Sequence, residues 1–153
     1  MKNTETIEIY TDGACRGNPG CGGWGCVINN NGDKKEKRGY KAQTTNNRME
    51  LTAVIEALKS TAVDGPIVIY TDSKYVMDGI NQWIVRWKKN GWMTAAKKTV
   101  KNKDLWLLLD RLICSRQINW VWVKGHAGNE GNERADYLAN LAIDENNQIS
   151  NYR

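Results

Sequence analysis

The 153-residue chain lacks several features that would place it in other classes. It has no run of about 18 apolar residues, so no membrane-spanning helix is expected. Its first residues, Met1-Lys2-Asn3-Thr4-Glu5, carry no apolar core of a secretory signal and lead straight into an alternating pattern. A cytoplasmic location is the simplest expectation. Histidine occurs once, at His126. The four cysteines, Cys15, Cys21, Cys26 and Cys114, form no CxxC pair, which argues against zinc. Neither their spacing nor the length suggests a disulfide framework, so they are read as free thiols. The rest is ordinary. Hydrophobic residues make up 41% and charged residues 25%, in a length that suits one domain with a sizeable core.

Acid is missing from one stretch. From Arg86 to Lys103 every charged residue is basic: Arg86, Lys88, Lys89, Lys97, Lys98, Lys101 and Lys103. These outnumber the net charge of +5, so the remainder of the chain is slightly acidic. Positive charge gathered in this way is an electrostatic footprint for phosphates. The competing reading is a solvated charged face.

The hydrophobic pattern orders the elements. Ile7, Ile9 and Thr11 alternate with Glu8 and Tyr10, which predicts a strand over 7–11. Asn18-Pro19-Gly20 is a turn, and 24–28 reads as a second strand. Asn31-Gly32 signals a reversal into a third strand over 35–42, completing an antiparallel meander. Leu51, Val54, Ile55 and Leu58 make one buried helical stripe. A short apolar strand follows at 67–70. Residues 73–87 read as a helix with Val76, Ile80, Trp83 and Trp87 along one side. Another helix runs through Leu105, Leu108, Leu109, Leu112 and Ile113. A last strand spans 118–123, and Ala135, Leu138, Ala139 and Ala142 mark a final helix. The polar tail from about 145 to 153 is expected to be loose. Strands separated by helices pair in parallel, so this order predicts a single α/β domain over 1–153, a mixed sheet covered by helices.

The acids are the chemistry-bearing residues. Ile9-Tyr10-Thr11-Asp12 is echoed by Ile69-Tyr70-Thr71-Asp72. Each ends an inferred strand, where ligand sites of open α/β sheets lie. On neighbouring parallel strands the two carboxylates repel unless a cation sits between them. Oxygen ligands without a Cys or His cluster favour Mg²⁺ or Mn²⁺. Turn and capping roles compete: Asp12 precedes Gly13, and Asp72-Ser73 precedes a helix. Glu50 lies at the edge of the stripe of the first helix, but Asn47-x-x-Glu50 also fits a capping box. Asp136, early in the last helix, also fits a favourable place near the positive helix end. His126, between Gly125 and Gly128, sits in a glycine-flanked loop that leads to Asp136.

Taken together, four stretches resemble the type 1 ribonuclease H family in its bacterial form. They are Tyr10-Thr11-Asp12-Gly13-Ala14, Thr45-Asn46-Asn47-Arg48-Met49-Glu50-Leu51, Tyr70-Thr71-Asp72-Ser73, and Val123-Lys124-Gly125-His126-Ala127-Gly128 with Asn132-Glu133-Arg134-Ala135-Asp136 after it. The Trp-Lys-Lys-x-Gly-Trp run from Trp87 to Trp92 matches as well. The resemblance covers roughly residues 5 to 145.

The resemblance implies a ribonuclease H-like five-stranded mixed sheet with helices on both faces. It implies an endonuclease for the RNA strand of RNA–DNA hybrids that leaves 5′-phosphate and 3′-hydroxyl ends with little sequence preference. Asp12, Glu50, Asp72 and Asp136 would hold two Mg²⁺ ions, with Mn²⁺ as a substitute and Asp12 as the bridging ligand. His126 would assist proton movement or product release. Backbone groups near Cys15, with Asn18, Asn46, Asn47 and Lys74, would read the hybrid's minor groove. Thr45 would serve a phosphate pocket and Trp83 a deoxyribose; core packing along its own helix is the other reading of Trp83. The handle at about 86–103, with Arg86, Lys88, Lys89, Trp92, Lys97 and Lys98, would bind phosphates. The chain departs from some relatives by having Arg86 for Asn and Lys74 for Gln, and both changes add positive charge. A monomer is expected, and the sequence is silent on any recruiting protein. Two other classes compete: a non-catalytic hybrid-binding module, and a DNA nuclease on the same fold.

Overall fold

The computed structural model describes residues 6–62, 65–125 and 128–151. Three strands come first, β1 (Ile7–Arg16), β2 (Gly20–Asn30) and β3 (Asp33–Thr44). They are joined by tight turns. At Asn31-Gly32 both residues have positive φ, 55° and 90°, the backbone a two-residue hairpin needs to match strand twist. Helix α1 (Asn46–Lys59) crosses to β4 (Pro66–Thr71), and α2 (Lys74–Asp78), α3 (Ile84–Asn90), α4 (Lys103–Ile113), β5 (Gln117–Trp122) and α5 (Glu130–Asn151) follow.

The sheet order is β3-β2-β1-β4-β5, antiparallel on the meander side and parallel where helices intervene. The Ile-Tyr-Thr echo is the β1–β4 ladder itself: Ile9 pairs with Ile69, Tyr10 with Tyr70 and Thr11 with Thr71. Side chains alternate between two faces. Ile9 and Ile69 join Leu51, Val54 and Leu58 of α1 and Trp106 and Leu109 of α4 in the core. Tyr10 and Tyr70 stack on the other face, ring centroids 4.6 Å apart, where α5 lies. This is the expected five-stranded mixed sheet with helices on both faces. Among the described residues no helix is long and apolar enough to cross a membrane.

Several boundaries differ from expectation. β1 does not stop at Thr11 but continues to Arg16, because β2 goes on pairing with it after β4 has ended. The helix expected over 73–87 is interrupted by a π-helical turn, Gly79–Trp83, in which the Ile84 N–H donates to the Gly79 carbonyl five residues back. A Cβ at Gly79 would collide with the buried Trp106 ring, so α4 packs directly against that backbone. The tail expected to be loose from 145 is helical through Asn151, and Arg38 of β3 pins Glu145 through two bonds of 2.9 Å.

Candidate active site

Two glycines, one on β1 and one on β2, let the helices approach the sheet at the residues next to the first acid. A Cβ at Gly13 would lie 2.5 Å from the Glu50 backbone nitrogen, so α1 rides directly on the strand at that point. Gly25, paired with Asp12 across β1–β2, plays the same part on the other face, where a Cβ would lie 2.5 Å from the Ala135 carbonyl of α5. Asp12 is thereby approached from both layers. Glu50 comes from α1, Asp72 from the end of β4, and Asp136 from α5. The parallel ladder ends at Thr11–Thr71, so no strand separates Asp12 from Asp72.

Each of Asp12, Glu50 and Asp72 offers a carboxylate oxygen within 4.8 Å of the other two. Asp136 stands outside that tight trio, yet close enough to share a hydrogen bond with Asp12 when one of them is protonated. Burial pushes the Asp12 carboxyl up to about 8, and the charges of Asp72 and Asp136 add to the shift. The Gly13 N–H, donating to Asp12 Oδ1 at 2.9 Å, works in the opposite direction. Glu50 is only 6% exposed, and its Oε1 has no hydrogen-bond partner among the described residues. Burial, then Asp12 and Asp72, raise its carboxyl well above the usual range. Among the described residues no lysine or arginine forms an ion pair with any of the four. A buried anionic cluster without an internal cation is costly unless a cation binds it. The oxygen-only donor set fits a hard divalent ion.

The competing structural roles of these acids fall away. Ser73, not Asp72, caps α2: its Oγ accepts from Val76 N–H at 3.1 Å. Thr45, not Asn47, caps α1, with Oγ1 accepting from Arg48 N–H at 3.3 Å, and Glu50 lies a turn further in, buried. Asp136 comes after the first turn of α5, which already carries Glu130 and Glu133.

The other expected site residues fall in three places. Cys15, Asn18, Thr45, Asn46 and Asn47 gather at the β1–β2 turn and the start of α1. There Asn18 Oδ1 accepts from the Asn46 N–H at 3.0 Å, and Cys15 Sγ lies 3.5 Å from the Thr44 carbonyl. Lys74 opens α2, exposed, with its ammonium 5.4 Å over the Trp122 ring. Trp83 and Arg86 lie on the approach to the handle. Trp83 is half-buried against Tyr75 and Trp87, at 5.5 and 5.8 Å between centroids, which satisfies the core reading while leaving one part of the ring open. Trp83, Arg86 and Lys101 line a cavity of about 340 Å³ together with Trp87 and Val100. In the handle, Lys89, Lys97 and Lys98 are exposed, but Lys88 pairs with Asp110 at 3.4 Å, an acid remote in sequence. The Trp92 ring packs on Trp87, 5.8 Å away, and anchors the handle to the core. His126 lies outside the described residues.

Some neighbours of the acids were not evident from the sequence. Trp122 Nε1 donates to the Asp72 carbonyl at 3.2 Å. Gly125 runs so close to Asp72 that a Cβ would sit 2.8 Å from its Oδ2. Asn140 donates toward Asp136, a contact that helical i, i+4 spacing alone could have suggested.

Known proteins are similar to this chain over nearly its full length. The RNase H family model matches residues 4–144. A ribonuclease H of Francisella philomiragia subsp. philomiragia is 60% identical over 139 residues, 91% of this chain and 91% of its own. Among solved structures, LC9-RNase H1, described as a type 1 RNase H with the type 2 active-site motif, gives a TM-score of 0.80 at 32% identity, covering 93% of this chain and 74% of that one. LC11-RNase H1, solved in complex with an RNA/DNA hybrid, gives 0.70 at 30% identity, covering 91% and 97%. With four acids drawn together from both layers of this sheet, the chain belongs to the type 1 ribonuclease H family of metal-dependent nucleases.

Proposed function

We propose that the chain hydrolyses the RNA strand of RNA–DNA hybrids at Asp12, Glu50, Asp72 and Asp136 with two Mg²⁺ ions, leaving 5′-phosphate and 3′-hydroxyl ends. One observation carries the reading: a trio of carboxylates, two of them buried, with an unpartnered Glu50 oxygen and no internal cation among the described residues. Its relative LC11-RNase H1 was solved with an RNA/DNA hybrid. Bound at these acids, the ions would supply activation of the attacking water and stabilisation of the leaving 3′ oxygen.

The chain's own residues do the rest. Asp12 interacts with Asp72, Asp136 and Glu50 alike, which makes it the candidate bridging ligand. Glu50, locked in the first turns of α1, holds its oxygens in a dry position that a mobile side chain would not keep. Asn18, Asn46, Asn47 and the backbone near Cys15 form one rim, suited to reading 2′-hydroxyls, which both donate and accept. Lys74 opens α2 two residues after Asp72 and adds a positive charge there. Trp83, Arg86 and the lysines of the handle take the DNA strand through sugar packing and phosphate charge, with no base readout. Thr45 still has a hydroxyl proton to donate after capping α1. His126 moves a proton or helps release product without being a tight ligand.

The test offers RNA–DNA hybrid, duplex RNA and duplex DNA to the full chain, with Mg²⁺ and with chelator. Cleavage of the RNA strand of the hybrid alone, lost in chelator, is expected. Binding without cleavage would leave a hybrid-binding module, and cleavage of duplex DNA would mark a DNA nuclease; either would defeat the reading.

A further inference from the structure

The fourth acid is held by a row of side chains that none of the family motifs contains. Asn140 lies one helical turn after Asp136 on α5. Its Nδ2 donates to the Asp136 carbonyl at 3.0 Å and to the Asp136 carboxylate Oδ1 at 3.4 Å. An amide has a donor end and an acceptor end and can sit either way round. The Asp136 carbonyl and carboxylate both call for the donor end, and Arg16, at the far end of β1, holds the acceptor end. A guanidinium only donates, and its NH2 reaches Asn140 Oδ1 at 3.2 Å, so the amide nitrogen must face Asp136. Arg16 is in turn fixed by Asp144, whose Oδ1 accepts from NH1 at 2.7 Å. The row Asp144–Arg16–Asn140–Asp136 thus runs from solvent to the acid cluster, with its last donor aimed inward.

The same helix supplies a comparison. Asn146 makes the ordinary contact of a helical asparagine, donating to the Ala142 carbonyl at 2.8 Å, and engages no other group among the described residues. Asn140 differs on both counts: it also reaches a carboxylate, and a cation holds its amide oxygen. Asp136 is also the acid outside the tight trio, so its placement depends most on such support.

We propose that Asn140 is a positioning residue for Asp136, with Arg16 bracing its amide from behind. By occupying Oδ1 it fixes the carboxylate rotamer and leaves Oδ2 for a divalent ion. Partners of this kind behind metal ligands tune affinity. The proposal rests on the reading that Asp136 is a ligand.

The experiment uses the full chain, with Mn²⁺ titrated calorimetrically in the absence of nucleic acid and steady-state kinetics on a hybrid. Asn140→Ala is expected to weaken Mn²⁺ and to lower kcat by about 10-fold each, the lower end of the effect of removing a partner behind a ligand, with KM unchanged. Asn140→Gln, which keeps the amide, should recover part of both. Arg16→Met should act in the same direction by about 3-fold and add nothing to Asn140→Ala in the double variant, because it works through the same amide. Asp136→Asn is the control. If Asp136→Asn is crippled while Asn140→Ala changes only the melting temperature, the positioning role is overturned. If Asp136→Asn itself binds Mn²⁺ and turns over normally, the ligand reading of Asp136 has failed instead. Full additivity of Arg16→Met and Asn140→Ala would remove Arg16 from the row.

Discussion

Replacing Asp12 by asparagine should abolish turnover and yet make the metal-free protein more stable. Asparagine keeps an oxygen to accept from the Gly13 N–H and removes only the charge. The Asp12 carboxyl is pushed up to about 8, mainly by burial. An acid whose folded value lies above its unfolded one opposes folding as pH rises. The penalty is absent below about pH 4, grows between about 4 and 8, and is constant above. At pH 7 roughly three units separate the solution from an ordinary aspartate, and at ~1.4 kcal/mol each the penalty reaches about 4 kcal/mol. Allowing half for water entry and side-chain relaxation, Asp12→Asn should gain about 2 kcal/mol, or about 5 °C in Tm for a domain of this size. Thermal unfolding followed by circular dichroism in chelator at pH 4, 7 and 8.5 measures it. The gain should be small at pH 4 and full at 8.5. Mg²⁺ should reverse the order, since the native chain gains by binding the ion and the variant gains less. A variant that is no more stable at pH 7 in chelator, or whose advantage is the same at pH 4 and 8.5, would refute the claim that crowded, buried charge shapes this site.

Three further outcomes are expected. Gly13→Ala should destabilise the fold by about 2 kcal/mol, the usual cost of overpacking, and weaken Mn²⁺ by pushing α1 and Glu50 off β1; an unchanged Tm would contradict the close approach. Arg86 is exposed and makes no ion pair among the described residues, so Arg86→Asn should lower the slope of log Kd against log salt by about 1 for hybrid binding; fluorescence anisotropy across a salt series that shows an unchanged slope would count against a phosphate contact. His126→Ala should slow turnover and leave residual activity in a single-turnover assay; loss as complete as that of Asp12→Asn would show that the role is not auxiliary.

The pairing of Asp12 with Asp72 was legible because parallel strands repeat the same pattern: Ile-Tyr-Thr on β1 pairs residue for residue with Ile-Tyr-Thr on β4. Glu50 and Asp136 were legible only through resemblance, since local rules offered each a cap or a helix-end role. The structure removes those roles by giving the α1 cap to Thr45 and by placing Asp136 beyond the first turn of α5. β1 beyond Asp12 was hidden because Gly13-Ala14-Cys15-Arg16 does not alternate; its pairing comes from β2. The basic run looked free of acids because only folding brings Asp110 to Lys88. The end of α5 was misread for a similar reason, since Glu145 finds Arg38 across more than a hundred residues. Periodicity could not foresee the π turn at Gly79, where the helix backbone lies against the Trp106 ring, a contact distant in sequence.

The acids are drawn from both layers of the sheet, and this carries a consequence for biosynthesis. Chains emerge from the ribosome N-terminus first. A nascent chain released through β5 carries Asp12, Glu50 and Asp72, but Asp136, with Asn140 and Asp144 of its supporting row, belongs to the helix made last. The centre is therefore complete only when the whole domain is. On the proposed reading, partly made or clipped chains would keep the basic handle that binds phosphates but lack the fourth acid of the site.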